Sequence, residues 1–129
     1  MNLGDGFWIE IGTLGRHFYV VAAFDGEWTI AFNATRHPPK YDLSCPVDAT
    51  DDDRLTQQSW MVFAPCDPMV TVALDREVQR GTLHVKPVSP EFLLKVQQGA
   101  LRSPQTERKY KRLLEAMGIT LPATPPEKP

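Results

Sequence analysis

The run His17 to Phe24, the dipeptide Asp25-Gly26 and the segment Trp28 to Phe32 constrain this chain more than any other feature. The first arm is nearly all apolar and rich in aromatic and β-branched residues. It therefore reads as a strand covered on both faces. Asp-Gly between two such runs is a strong hairpin signal, because the glycine supplies the positive φ that a tight turn needs. In the second arm Trp28, Ile30 and Phe32 alternate with smaller residues. A chain with this hairpin at its centre folds around a sheet.

The flanking segments extend that sheet. Phe7 to Ile11 is bounded by Gly4-Asp5-Gly6 and Gly12 and reads as a strand. Thr35 to Tyr41 is irregular, since Pro38 and Pro39 fix φ and remove donors. Leu43 to Val47 reads as a short edge strand, Thr50 to Asp53 as a solvated turn, and Ser59 to Phe63 and Met69 to Leu74 as two further strands. Short strands at intervals of roughly 10 to 15 residues predict a small barrel or a curled sheet. Trp8, Trp28 and Trp60 all fall inside these strands and are expected in the core.

After Pro87 the pattern turns helical. Ser89-Pro90-Glu91 is a helix start, followed by Leu93, Val96, Ala100 and Leu101 at helical spacing. Ser103-Pro104 repeats the signal before Tyr110, Leu113, Leu114 and Met117, and Gly118 suits the position after a helix end. The expectation is a mainly β member of the α+β class: one barrel domain over residues 1–118 with two C-terminal helices. A proline-rich, disordered tail is expected over 119–129.

With 129 residues, 42% of them hydrophobic, the chain is long enough for one core. It has no apolar run near the ~20 residues of a membrane span, and Met1 to Asp5 lacks the basic and apolar regions of a signal peptide. The expected setting is the cytoplasm, with no membrane partner. Cys45 and Cys66 are too few for a four-cysteine zinc site and are expected to be inert thiols. The net charge of −2 gives no global pull toward nucleic acid. Its distribution is uneven, with Asp42, Asp48, Asp51, Asp52 and Asp53 in one region and Arg102, Arg108, Lys109, Lys111 and Arg112 near the end.

No phosphate-loop, dinucleotide, hydrolase-elbow or zinc-protease motif is present. His17, His37 and His84 have no metal-ligand spacing, and no cofactor is implied. Two places carry chemistry. Arg16-His17 enters the apolar strand, and Thr35-Arg36-His37 leaves its partner strand. Counted from the turn, His17 lies eight residues before and Thr35 nine after, so an antiparallel pairing brings them to one rim. Guanidinium, imidazole and hydroxyl groups together suit a phosphodiester. The plainer alternative is a solvated arginine, a satisfied histidine and a turn-capping threonine. The acidic run Asp51 to Asp53 is a cation site or a solubilising loop. Arg108, Lys109, Lys111 and Arg112 form a solvated helix face or an RNA or partner contact.

Read in order, these segments resemble the MazF/PemK toxin family. Gly4-Asp5-Gly6-Phe7-Trp8-Ile9-Glu10 is similar to that family's opening strand. Gly15-Arg16-His17-Phe18-Tyr19-Val20-Val21 resembles its Arg-Pro strand, and Ile30 to Thr35 the strand ending in Thr or Ser. Arg80-Gly81-Thr82 and Ser89-Pro90-Glu91-Phe92-Leu93-Leu94 resemble its close. The resemblance implies an SH3-like barrel, a homodimer, a cognate antitoxin partner, and metal-independent cleavage of single-stranded RNA through the ribose 2′-hydroxyl. It assigns phosphate and proton handling to Arg16 or His17 and transition-state stabilisation to Thr35; the neighbouring Arg36 and His37 are expected RNA or partner contacts. This chain has Arg16-His17 where the family has Arg-Pro, and a one-residue shift puts His17 in the arginine's place. A barrel that kept the fold and lost catalysis, binding protein or RNA, is the alternative expectation.

Overall fold

The hairpin forms where the Asp25-Gly26 signal lies. Strand β2 (Arg16–Asp25) and strand β3 (Trp28–Thr35) pair antiparallel, with Asp25 opposite Trp28. Gly26 takes the first loop position with φ +56°, a conformation that costs glycine little. Strand β1 (Asp5–Glu10) lies on the far side of β2. Beyond β3 come β5 (Ser59–Val62) and the edge pair β4 (Pro46–Val47). Strand β6 (Met69–Val70) pairs with the start of β3, and β7 (Lys86–Pro87) with the start of β1. The computed structural model describes residues 1–10, 15–40 and 42–122. In it this antiparallel sheet curls into a half-barrel and carries three helices, a mainly β arrangement of the α+β class.

Alternation along β2 explains its unbroken apolar character. Phe18, Val20 and Ala22 face one side, where helix α2 (Pro90–Arg102) contributes Phe92, Val96 and Ala100, and helix α3 (Arg108–Ala116) contributes Tyr110 and Leu114. Val21 and Tyr19 face the other side and meet Phe7, Ala31, Leu83 and, from helix α1 (Thr71–Gln79), Leu74. Both faces are covered, so neither set of positions can be polar. Helix α2 begins at Ser89, whose Oγ accepts from the Phe92 N–H at 3.1 Å, with Pro90 in the first turn.

One irregularity ties this helix to the sheet. Val21 pairs with Ala31 but Ala23 pairs with Ile30, so Ala22 is the extra residue of a β-bulge. A bulge frees a backbone group from the ladder. Here Gln97 of α2, itself buried, donates from Nε2 to the Ala22 carbonyl at 3.0 Å.

Three sequence expectations are corrected. Met69 to Leu74 is not a strand: only Met69 and Val70 pair with β3, and the chain then turns into α1. Strand β3 begins at Trp28, so the ladder with β6 stops there. The Thr71 N–H instead donates to the Glu27 carbonyl at 2.9 Å, and the Thr71 and Thr29 hydroxyls meet at 2.8 Å. Asp75-Arg76-Glu77 cannot continue a buried strand, whereas a helix buries Leu74 alone. Among the described residues there are therefore three helices rather than two. Trp28 is not core: it stands beside the turn and is 40% exposed, and Trp8 and Trp60 are half-buried. The chain does not leave the fold at residue 119. Gly118 at φ +86° turns it back, and Ile119 packs on the core with its N–H on the Leu114 carbonyl at 3.1 Å. The rest of the expected tail, 123–129, lies outside the described residues. So do Ile11 at the expected end of β1, Gly12 to Leu14 of the glycine-bearing loop, and Tyr41.

Candidate anion-binding cleft

The β2–β3 register ends with Phe18 opposite Ala34, which leaves His17 across from Thr35 at the open rim. A cleft of about 320 Å³ opens there. Phe18 and Ala34 contribute to its lining, with Trp8 and Arg16 from the β1–β2 side, Thr35, Arg36 and His37 from the end of β3, and His17 between them. The remaining wall is the segment after the acidic run: Arg54, Leu55, Thr56 and, at the start of β5, Ser59. None of the lining residues carries a carboxyl group.

The arginines differ in what they already do. Arg54 is half-buried and engaged on every side. Its Nε and Nη2 donate to the two Asp52 carboxylate oxygens at 2.9 Å each, Nη1 donates to the Gly6 carbonyl at 3.1 Å, and the guanidinium lies 4.6 Å from the Phe18 ring centre. Gly6 is required by this arrangement, because a Cβ there would stand 2.8 Å from both Arg54 Nη2 and Phe18 Cζ. Burial alone would raise the Asp52 carboxyl, but the hydrogen bonds and charge of Arg54 outweigh it and hold the group below the usual carboxylate range. Arg16 is exposed, has no ion pair among the described residues, and rests 5.1 Å over the Trp8 ring. Arg36 is likewise exposed and unpaired among the described residues.

The hydroxyl and the imidazoles are also distinguishable. Thr35 Oγ1 accepts from the His37 N–H at 3.3 Å, which leaves its own proton free to donate. The His37 ring is exposed and has no hydrogen bond among the described residues. His17 is different, because Arg16 and His17 are successive residues of one strand and so point to opposite faces. Arg16 shares the face of Trp8 and Phe18. His17 lies on the face of Tyr19, and its Nδ1 sits 3.3 Å from the Asn33 amide nitrogen. The amide donates, so in the neutral ring Nδ1 is the acceptor and Nε2 carries the proton; Nε2 is buried without a partner.

The structure gathers Arg16, His17, Thr35, Arg36 and His37 at one cleft and leaves Arg108, Lys109, Lys111 and Arg112 outside its lining. On α3, Lys109 pairs with Glu107 at 3.4 Å and lies over the Tyr110 ring. Arg54 went unnoticed in the sequence because it follows three aspartates, and nothing local signals that this segment folds back over β1. The acidic run itself is partly neutralised: Asp51 pairs with Lys95 at 3.0 Å and Asp52 with Arg54. Cys45 and Cys66 are free and buried, and burial pushes both thiols up to about 11. Among the described residues no three His, Cys, Asp or Glu side chains converge on a common point, and no helix is long and apolar enough to cross a membrane. No protein-family model, curated protein or solved structure matches this chain.

Proposed function

We propose that this protein is a MazF/PemK-like toxin with an SH3-like barrel, which binds single-stranded RNA in the cleft at the β2–β3 rim and cuts it without a metal ion. The observation that carries the reading is the composition of that cleft. In a chain of net charge −2, its lining holds Arg16, Arg36 and His37, whose polar heads have no hydrogen-bond or ion-pair partner among the described residues, and no carboxylate. Cations without a hydrogen-bond or ion-pair partner suit a phosphodiester. Arg16 holds the phosphate, and the Thr35 hydroxyl donates to a nonbridging oxygen. The ribose 2′-oxygen attacks phosphorus and loses its proton to His37, while the bond to the 5′-oxygen breaks and that oxygen takes a proton from water. The products are a 2′,3′-cyclic phosphate and a free 5′-hydroxyl. An antitoxin would compete for the same rim, and a second copy of the chain would complete a homodimer.

The hydrogen bond from Asn33 to His17 favours a second reading, a binding module without catalysis, because it removes one of the two imidazoles near the cleft from service as a base. An RNA-cleavage assay in EDTA separates the two. Purified protein is compared with Arg16→Ala, Thr35→Ala, His17→Ala and His37→Ala. Cleavage that falls at least tenfold in the Arg16, Thr35 and His37 variants supports the nuclease. No cleavage, with binding retained, leaves the module.

A further inference from the structure

A second cleft, of about 510 Å³, shares Trp8 and Arg16 with the first, so the Arg16–Trp8 stack borders both. Its chemistry is the opposite of its neighbour's. Ile9, Leu74 and Leu83 make it apolar, and Glu10 and Glu77 bring carboxylates that the first cleft lacks. The two acids are not equivalent. Glu77 is occupied, accepting from the Thr82 hydroxyl and lying 3.6 Å from Arg80. Glu10 is exposed, stands opposite Arg16 in the β1–β2 register, and has no partner among the described residues.

We propose that this second cleft is a nucleobase subsite, and that Glu10 selects a base whose open edge carries N–H donors, guanine above all. The inference rests on the proposed RNA-binding reading and names its specificity. A phosphate on Arg16 places the adjoining nucleoside beside that stack, where the apolar wall of Ile9, Leu74 and Leu83 accepts its flat face. A carboxylate offers only acceptors. Guanine presents two adjacent donors, N1–H and the N2 amino group, to its two oxygens. Cytosine and adenine present one amino group beside an unprotonated ring nitrogen. Uracil presents N3–H between two carbonyls that repel the charge. The expected order is guanine, then cytosine and adenine, then uracil.

The test uses fluorescence anisotropy with short 2′-O-methyl oligoribonucleotides, which bind but cannot be cut at the 2′-position. They consist of uridine with one guanosine, cytidine or adenosine moved through each position. The expected result is a preference of roughly tenfold for guanosine over uridine at one position. Glu10→Gln should abolish that preference while retaining affinity for the all-uridine chain, and Arg16→Ala should weaken every oligonucleotide alike. Equal affinity for all bases, or a guanosine preference that survives in Glu10→Gln, overturns the subsite and leaves the phosphate cleft standing. Failure to bind any oligonucleotide overturns both. Loss of all affinity in Glu10→Gln, with an unchanged circular dichroism spectrum, also overturns the selective role.

Discussion

The two sides of the basic cleft carry the same guanidinium group in different states. On the segment after the acidic run, Arg54 is matched by both Asp52 oxygens, the Gly6 carbonyl and the Phe18 ring. On the strand side, Arg16 is exposed and lies over the Trp8 face, with no hydrogen bond or ion pair among the described residues. A charge that is already satisfied holds a wall in place. A charge that is not satisfied is free to take a ligand. Residue type alone does not distinguish them.

That contrast breaks most readily at Arg54. Removing its side chain strands the Asp52 carboxylate, which is only 8% exposed, and opens the space over Phe18. Arg54→Ala should cost about 3 kcal/mol in urea unfolding. A loss within experimental error of zero would show that Arg54 is as uncommitted as Arg16. Gln97 offers a second committed polar group away from the cleft. Gln97→Leu leaves the bulged Ala22 carbonyl buried and unpaired, and should cost about 2 kcal/mol by the same measurement without changing RNA affinity.

Arg16→Ala sharpens the other half. It gives up one exposed cation–π contact, so stability should change by less than about 1 kcal/mol. Affinity for single-stranded RNA should fall, and the slope of log K against log salt should become shallower by about 0.7, the loss of one phosphate contact. An unchanged slope would remove Arg16 from the phosphate path. The smallest effect concerns pH. The Asp52 carboxyl titrates below its unfolded value, so its contribution to stability is fully present above about pH 4 and is lost as pH falls through the lower, folded value. Asp42 behaves in the same direction: burial opposes its ionisation, but hydrogen bonds from Ser103 and Ser44 overcome it. In acid titrations followed by tryptophan fluorescence, Arg54→Ala should unfold at higher pH than the parent. Coincident midpoints would mean that the pair contributes nothing to acid stability.

Much of the sheet was legible because its signals are local. The Asp25-Gly26 turn follows from the φ that glycine tolerates. The meeting of His17 with Thr35 follows from counting along two antiparallel strands, and α2 from the Ser89-Pro90 start. The failures have a common cause. Met69 to Leu74 alternates like a strand, but whether a strand forms depends on a partner edge, and β3 supplies only Trp28 and Thr29 there. The aspartate run reads as a solvated loop, because its return across β1 rests on Arg54 contacts with residues some forty positions away.

By itself, then, the sequence determined the hairpin, the meeting of His17 with Thr35 at one rim, and the start of α2 at Ser89-Pro90, since each depends on backbone preference and residue spacing over a few positions; α3 begins at Arg108 rather than at the Ser103-Pro104 signal. Only the tertiary structure decided which arginine is spent and which is free, and which histidine nitrogen keeps a lone pair. It alone also decided that a cleft without carboxylates adjoins one that has them. Those properties depend on which distant groups share a hydrogen bond or an ion pair, and that sharing exists only once the chain has closed on itself.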